Sequence, residues 1–276
     1  MPEGPETHRM ADNIRKSLKK KEILSFTFQH ESLAPLTKLK EILITDVFSL
    51  GKAIIIRIQG GISIISHNQL YGKWTFNRPK TIVKNNRQLR IEFITEKKAV
   101  RLWSATDISI YNTKNEINHP YLGKIGPDIL DKTTNQTVII SILNRKKVRN
   151  RQLGSVLLDQ SIISGIGNYL RSEILFFSGL VHTKKPSELN DKQMHNLASS
   201  IKNTSIRAYK QKGKTIDYDY FNNEFGNINN FKKIKHMVFS REGLPCFRCS
   251  KNIIKLITAS RRIYICPICQ DLNQCT

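Results

Sequence analysis

Residues 22–111 contain eight short runs of β-branched or alternating apolar residues, and this pattern constrains the fold more than any other feature. Short runs of this kind, separated by polar and glycine-containing turns, are typical of antiparallel strands. Gln59-Gly60-Gly61 predicts a tight hairpin between two of the runs. The sequence therefore predicts an antiparallel β-sandwich, built from Ile23 to Phe28, Ile42 to Phe48, Ala53 to Ile58, Ile62 to Ser66, Lys73 to Asn77, Leu89 to Ile94, Val100 to Trp103 and Ile108 to Tyr111.

Helical patterns flank this region on both sides. Met10, Ala11, Ile14 and Leu18 recur at three- and four-residue spacing and predict a first helix that packs on the sandwich. Beyond a glycine- and proline-containing stretch, residues 121–131, the strand pattern stops and helical segments are expected at 138–143, 156–160, 169–177 and 189–209. The predicted fold class is α+β multidomain, with a sandwich at 1–120, a linker at 121–131, a helical domain at 132–235, a metal-binding module at 236–270 and a tail at 271–276.

The charge of the chain is strongly positive, with 45 Lys and Arg against 22 Asp and Glu and a formal net charge of +23. This is the electrostatic footprint of a protein that binds nucleic acid. The alternative is compositional drift, since the chain is rich in Lys, Asn and Ile throughout. Charge alone leaves both interpretations open.

The placement of apolar residues and cysteines indicates a compartment. No apolar run approaches membrane-spanning length, and the start of the chain has no hydrophobic core of a signal peptide. All five cysteines follow residue 245, so no disulfide framework spans the predicted domains. A reducing cytoplasmic setting, close to the nucleoid and without a membrane partner, is expected.

The cysteines carry the strongest local signal. Two Cys-x2-Cys pairs, Cys246 with Cys249 and Cys266 with Cys269, are sixteen residues apart. Four thiolates in two close pairs are typical of one tetrahedral, structural Zn²⁺. Hairpin strands are expected around Val238, Phe239, Ile254 and Tyr264, as in a zinc ribbon, and Cys275 is expected to be a free thiol on the tail.

The first six residues carry the pattern most suggestive of chemistry. Removal of Met1 would leave Pro2 as a chain-terminal secondary amine at the start of a helix, with Glu3 beside it. The positive helix end disfavours an ammonium, which favours the nucleophilic form, and amines of this kind form Schiff bases. Glu3 could exchange the accompanying protons. The alternative is an ordinary helix start, where proline and an acidic first turn are common.

Four other stretches each allow a functional and a plain interpretation. Lys52 follows Gly51 at a strand start and could meet a phosphate, or be a solvated edge residue. Residues 67–72 could place apolar and aromatic side chains into a base stack, or form an ordinary turn. Gly165 to Asn168 could end one helix, cap the next through Asn168 and offer free N–H groups to a phosphate, or join two helices without a ligand. The basic stretch 210–240 could lie beside a polyanion or be a solvated linker.

Taken together, these motifs resemble the Fpg/Nei family of DNA glycosylases, and the endonuclease VIII branch in particular. The resemblance runs nearly end to end and rests on six motifs in the order of the family plus the four-cysteine module. They are the Pro-Glu-Gly-Pro-Glu start, Gly51-Lys52-Ala53, Ser66 to Gly72, Gly126-Pro127-Asp128, Leu157 to Gln160, and Gly165 to Arg171. The resemblance implies a β-sandwich, a helix-two-turn-helix domain and a C-terminal zinc finger, with DNA in a basic cleft between the lobes.

The resemblance also implies roles for individual residues. Pro2 would attack C1′ of the damaged nucleotide, Glu3 would be the general acid/base, and Glu6 matches a further acidic position near the site. The remaining implied contacts are with the DNA around the lesion. Lys52, which also belongs to the catalytic group, Asn168 and Arg261 would hold phosphates, and Gln69, Leu70 and Tyr71 would fill the vacated stack.

The implied activity is that of a monomeric glycosylase and lyase on damaged duplex DNA, with no redox or catalytic metal cofactor. The contiguous Gln69-Leu70-Tyr71 is similar to the endonuclease VIII wedge, which favours oxidised pyrimidines such as thymine glycol. Two alternatives stay open: an 8-oxoguanine glycosylase of the same family, and a non-catalytic zinc-ribbon protein that binds nucleic acid. Arg262, where a small residue or proline is usual, and residues 210–235 depart from the family pattern.

Overall fold

The computed structural model describes residues 2–216, 234–258 and 260–270. The chain divides into two compact units, residues 1–2 with 6–124 and residues 3–5 with 125–276. The first unit holds two antiparallel sheets, and the second holds helices and a C-terminal hairpin with four cysteines. The predicted fold class is therefore confirmed.

The eight predicted strands all form. One sheet has the order β2-β3-β4-β8 and the other β1-β6-β7-β5, and every described pairing in them is antiparallel. The predicted turn at Gly60 and Gly61 joins β3 to β4, in which Ile58 pairs with Ile62. The strands are β1 (Ser25–Phe28), β2 (Ile44–Leu50), β3 (Ala53–Ile58), β4 (Ile62–His67), β5 (Lys73–Asn77), β6 (Leu89–Ile94), β7 (Ala99–Trp103) and β8 (Asp107–Asn112).

Both sheets and the first helix, α1 (Gly4–Leu18), share one apolar core. Three members of the predicted helical stripe, Ala11, Ile14 and Leu18, are buried in it, and Met10 packs at its margin. Alternation of apolar residues directs one face of each strand into the same core, and burial of these side chains contributes the main stabilising term. The periodicity of the sequence thus accounts for the sandwich and its helix.

The first unit also contains two short 3₁₀ helices that were not predicted, Glu31–Lys38 and Thr113–Asn118. Each begins at a local side-chain cap: His30 Nδ1 accepts from the Ser32 N–H, and Asn112 Oδ1 accepts from the Lys114 N–H. Such local bonds stabilise a turn without a long apolar period, so periodicity alone does not reveal them.

Over its described residues, the second unit contains four α-helices: α2 (Gln136–Leu143), α3 (Leu153–Val156), α4 (Asn168–Ser178) and α5 (Asp191–Lys210). The prediction of a helix at 156–160 is wrong, because α3 lies earlier and the chain turns after it. The Gln160 side chain explains the difference: Oε1 accepts from Gly165 N, and Nε2 donates to the Ile166 carbonyl. Gln160 therefore braces the next loop instead of extending the helix.

The stretch predicted as a linker hydrogen-bonds to that same loop over its second half. Gly126 N donates to the Gln160 carbonyl, and Ile129 N donates to the Ser164 carbonyl. Asp128 forms an isolated bridge with Ser164. The division between the two units falls at residue 124, inside the stretch, and the predicted domain boundaries stay predictions.

The C-terminal hairpin consists of β9 (Ile254–Thr258) and β10 (Arg261–Ile265), which pair in an antiparallel register. Ile263 and Ile265 of β10 are buried in the helical core, which ties the hairpin to that unit. The prediction that Val238 and Phe239 form a strand is wrong, since they lie in a turn. Residues 217–233, most of the predicted basic connector, lie outside the described residues, as does Cys275.

No helix in the part of the chain that the structure describes has the length and apolarity needed to cross a bilayer.

Candidate active site

The candidate residues divide between the two units, and Glu3 is the most firmly held of them. Its side chain is 5 % exposed and its carboxylate accepts three backbone N–H groups of the second unit. Oε1 accepts from Tyr169 N at 2.8 Å, and Oε2 accepts from Gly167 N at 2.9 Å and Leu170 N at 3.2 Å. These amides lie at the start of α4, where a negative charge is favoured by the helix dipole. The start of α4 therefore holds the Glu3 carboxylate in a single position.

Gly167 permits this anchoring because it has no side chain. A Cβ at this position would lie 2.3 Å from Glu3 Cδ, which is closer than any real contact. Gly167 is also the N-cap of α4, and Asn168 is the first helical residue. The prediction that Asn168 caps the helix is therefore wrong. The idea of free N–H groups for a phosphate is wrong at Tyr169 and Leu170, because Glu3 accepts both.

The Asn168 side chain is instead hydrogen-bonded to Arg171, one turn further along α4. Arg171 is completely buried, and its Nη2 donates to Asn168 Oδ1 at 2.9 Å and to the Arg262 carbonyl at 3.0 Å. Nη1 donates to the Gly154 carbonyl at 3.2 Å. Burial and the charge of Arg261 together lower the pKa of Arg171 to about 10, with Glu3 opposing the shift. At neutral pH the side chain therefore remains a cation that links α4 to β10.

Arg261 and Arg262 lie at the start of β10, and both are exposed. Because the Arg262 carbonyl accepts from Arg171, the backbone at this point is fixed while both guanidinium side chains face solvent. One buried guanidinium thus bonds to Asn168, a predicted phosphate ligand, and to the carbonyl of Arg262, the residue after the other predicted ligand, Arg261. Sequence reasoning assigned no role to Arg171, although a charged residue within an otherwise apolar helical pattern is an available signal.

Glu173 is a second buried charge on α4 that the sequence analysis missed. Its Oε1 accepts from Val238 N and Phe239 N, and its Oε2 accepts from Met237 N and Thr215 Oγ1, at 2.6–2.9 Å. A buried carboxylate with four donors is well compensated. It joins α4 to the turn before the cysteines and has no candidate chemical role.

Pro2 and Glu6 belong to the first unit. Pro2 is half-buried and lies two residues before the start of α1, and Glu6 lies in the first turn of that helix, also half-buried. Met1 lies outside the described residues. One peptide bond joins Pro2 to Glu3, the anchored carboxylate of the second unit.

Lys52 occupies the turn between β2 and β3, and its N–H donates to Tyr121 Oη at 2.9 Å. The Tyr121 ring makes an edge contact with His67, the last residue of β4, at 5.3 Å between centroids. Burial lowers the pKa of His67, and the charges of Lys52 and His119 act in the same direction while Asp107 opposes them. His67 is therefore neutral at pH 7, next to a candidate phosphate ligand.

The predicted wedge, Gln69-Leu70-Tyr71, forms an exposed loop that begins at His67. His67 Nδ1 accepts from Gln69 N at 3.2 Å, and the Gln69 backbone adopts a left-handed conformation with φ of 45°. Gln69 Nε2 donates to Asp107 Oδ2 at 3.3 Å. Leu70 and Tyr71 are 67 % and 65 % exposed. The alternative of an ordinary turn with both side chains tucked inward is therefore excluded.

Gly72 closes this loop. Its N–H donates to the Asn68 carbonyl at 2.8 Å, and a Cβ here would lie 2.7 Å from the backbone of Asn68. Only glycine allows this close approach. The loop is thus held at both ends, with its two apolar tips in solvent.

The four predicted cysteines meet in the second unit. Their sulfur atoms all lie within 4.8 Å of one another, with Cys246 and Cys266 buried and Cys249 and Cys269 half-buried. Four thiolates at Zn–S distances of ~2.3 Å require separations of this size. The cluster therefore fits a single tetrahedral metal ion.

Comparisons with known proteins agree along the whole chain. Residues 1–106 match the formamidopyrimidine-DNA glycosylase N-terminal domain, and residues 125–219 match the formamidopyrimidine-DNA glycosylase H2TH domain. Endonuclease 8 of Klebsiella pneumoniae is 38% identical over 271 residues, which cover 98% of this chain and 100% of that protein. Endonuclease 8 of Salmonella agona is 35% identical over the same coverage.

Solved structures show the same fold. A Lactococcus lactis formamidopyrimidine DNA glycosylase bound to DNA containing an AP site aligns with a TM-score of 0.78 at 20% identity, over 97% of this chain and 99% of that one. The L. lactis protein bound to DNA containing an oxidized pyrimidine also aligns with a TM-score of 0.78, over 98% of this chain. With full-length relatives at 38% identity, two family domains and the shared fold, the chain belongs to the Fpg/Nei family of DNA glycosylases and AP lyases.

Proposed function

We propose that this protein is a base-excision-repair enzyme that removes oxidised pyrimidines such as thymine glycol from duplex DNA and then cleaves the strand. The observation that carries the proposal is the anchored carboxylate of Glu3 next to Pro2. Three backbone amides hold the carboxylate of Glu3, which one peptide bond joins to Pro2. A general acid/base fixed beside a terminal amine is the arrangement that Schiff-base chemistry on a sugar requires.

The reaction begins with extrusion of the damaged nucleotide, since its C1′ cannot be reached within the duplex. The Pro2 nitrogen attacks C1′, and the base departs with the electron pair of the glycosidic bond and takes a proton from solvent. The nitrogen gives its own proton to Glu3, which restores the nitrogen lone pair. Protonation of the ring oxygen by Glu3 opens the sugar, and the nitrogen lone pair forms an iminium. This cation acidifies the C2′–H, so loss of that proton expels the 3′ phosphate. A second elimination expels the 5′ phosphate, and hydrolysis releases the enzyme.

The DNA contacts follow from the charges and exposure of the other candidates. Lys52, Asn168 and Arg261 bind phosphates around the lesion, and Arg171 orients Asn168 for this task. Leu70 and Tyr71 enter the stack, which their exposure supports. Glu6 contributes a further carboxylate near the reacting sugar.

The preference for pyrimidines rests on the wedge and on the relatives. All three wedge residues lie on one preformed loop, and the full-length relatives in the comparison are named Endonuclease 8. The fold alone does not separate substrates, because the L. lactis structures include complexes with DNA that contains an oxidized pyrimidine or a Fapy-dG. An 8-oxoguanine preference is therefore the alternative outcome of the test below.

Cys246, Cys249, Cys266 and Cys269 would hold one Zn²⁺, since four thiolates this close together suit that ion. Its role is structural, since four protein ligands leave no position for substrate. It would stabilise the hairpin that carries Arg261 and supplies no step of the reaction.

We propose that the protein acts as a monomer. The test of its function is borohydride trapping on a panel of lesion duplexes. We expect a covalent adduct with thymine-glycol duplex, and a higher single-turnover rate on this duplex than on 8-oxoguanine duplex. Pro2→Gly should trap less. Absence of an adduct would favour a non-catalytic nucleic-acid binder, and equal trapping by Pro2→Gly would refute the nucleophile assignment.

A further inference from the structure

An open cavity of about 640 Å³ in the first unit lies beside the wedge loop. Tyr71 of the wedge forms one wall. The other walls come from the loop between β5 and β6, the start of β6 and the end of β7. They are Asn85, Asn86, Arg87, Arg90 and Ser104. These residues include two guanidinium groups and no carboxylate.

The two arginines are placed differently. Arg87 donates from Nη1 to the Tyr71 carbonyl and is exposed, so it is attached to the wedge itself. Arg90 is half-buried on β6, and its Nε is buried without a hydrogen-bond partner among the residues that the structure describes. A buried guanidinium N–H without an acceptor is costly, and an anion in the cavity would supply the acceptor.

The connection between the sheets indicates which anion this is. The wedge loop leaves β4, which pairs with β3 beside Lys52, and enters β5, which belongs to the other sheet. Lys52 and His67 therefore lie at the Gln69 end of the wedge, and Arg87 and Arg90 lie at the Tyr71 end. Side chains that enter the base stack lie between the two strands, so the backbone of one strand is at one end of the wedge and that of the other strand is at the other end.

We propose that this cavity binds backbone phosphate of the strand opposite the lesion, with Arg90 and Arg87 as ligands. This inference rests on the proposed function, because that function assigns the Lys52 end of the wedge to the damaged strand. Guanidinium groups match phosphate through paired N–H donors, and Asn85 and Asn86 add amide donors. The enzyme then binds phosphate of both DNA strands, one strand at each end of the wedge.

The decisive variant is Arg90→Gln, because Arg90 makes no contact with the wedge backbone among the bonds described. Arg78→Gln is the matched control: it makes the same change at an exposed position of the loop between β5 and β6, outside the cavity. Binding is measured by fluorescence anisotropy to a duplex with a tetrahydrofuran abasic site and to the same lesion strand alone. Neither measurement requires catalysis.

We expect Arg90→Gln to weaken duplex binding about tenfold or more and to reduce the salt slope by about one. Its affinity for the single strand should stay within about twofold of the parent, and Arg78→Gln should change neither value. Methylphosphonates in the opposite strand should weaken the parent and leave Arg90→Gln almost unchanged, whereas methylphosphonates in the lesion strand should weaken both.

Two results would overturn the proposal. One is an equal loss of single-strand and duplex affinity in Arg90→Gln. The other is a loss on opposite-strand methylphosphonates that is as large in the variant as in the parent. Failure of the proposed function is distinguishable, because it appears as absence of borohydride trapping while these binding results still decide the cavity assignment.

Discussion

Replacement of Glu3 by glutamine tests the anchoring that the whole site depends on. The carboxylate accepts three amides through two oxygens, with Tyr169 N on Oε1 and two others on Oε2. A carboxamide has only one acceptor oxygen. If that oxygen keeps the Oε2 position, the NH₂ group faces Tyr169 N, and two donors oppose each other. Glu3→Gln therefore removes at least one bond and the charge from a buried position.

The magnitude follows from these contacts. A hydrogen bond to a charged group contributes about 1.5–3 kcal/mol, and the charge at a helix start contributes about 0.3–1 kcal/mol more. We expect the start of α4 to lose roughly 2–4 kcal/mol of local stability. Since about 1.4 kcal/mol is tenfold, the population of its open state should rise by roughly 30-fold to several hundredfold.

Amide hydrogen exchange measures this directly at the three donors. Exchange at Gly167, Tyr169 and Leu170 should accelerate by that factor in Glu3→Gln, and trapping of the covalent adduct should fall with it. Glu6→Gln is the control for the exchange measurement alone, because it removes a carboxylate charge from the first turn of α1 and no bond described here joins Glu6 to these amides. Unchanged protection of all three amides in Glu3→Gln would refute the anchoring argument.

Three further predictions concern the loop and the metal. Burial lowers the pKa of His67 below its ordinary value near 6.5. The stability that the neutral ring contributes is therefore complete above about pH 6.5 and is lost as the pH falls through the lowered pKa of the folded protein. Denaturation midpoints should fall more between pH 7 and 5 in the parent than in His67→Gln, and parallel curves would contradict this. Gly72→Ala introduces a Cβ 2.7 Å from Asn68, so cleavage of lesion duplex should slow about tenfold or more with little change on single-stranded abasic DNA, and an unchanged duplex rate would show that the loop tolerates the change. Cys249→Ser should lower the bound zinc measured by mass spectrometry and weaken duplex binding, and a full complement of zinc would remove this residue from the ligand set.

Periodicity predicted the strands well because their burial pattern is local. The predicted spans of β3, β5 and β6 coincide with the structure, and the others differ by one or two residues at their ends. The α3 prediction failed where a single side chain, Gln160, bonds to a loop several residues away. No pattern of apolar residues carries that information.

For the candidate site, too, local sequence patterns were informative and long-range contacts were not visible. Residue types and order pointed to Pro2, Glu3 and the cysteines, but the contacts of Glu3 join residues more than 160 positions apart. The buried charges Arg171 and Glu173 were visible as polar residues in an apolar helix, while their partners were not. Sequence reasoning therefore names candidate chemistry more readily than the interactions that position it.

The central claim is a covalent bond between the nitrogen of Pro2 and a deoxyribose carbon, and peptide mapping of the borohydride-trapped complex tests it most directly. After digestion of DNA and protein, the tryptic peptide Pro2–Arg9 should appear without Met1 and with the added mass of the reduced sugar remnant. The account is contradicted if every copy of this peptide retains Met1, or if the remnant maps to a lysine such as Lys52 instead.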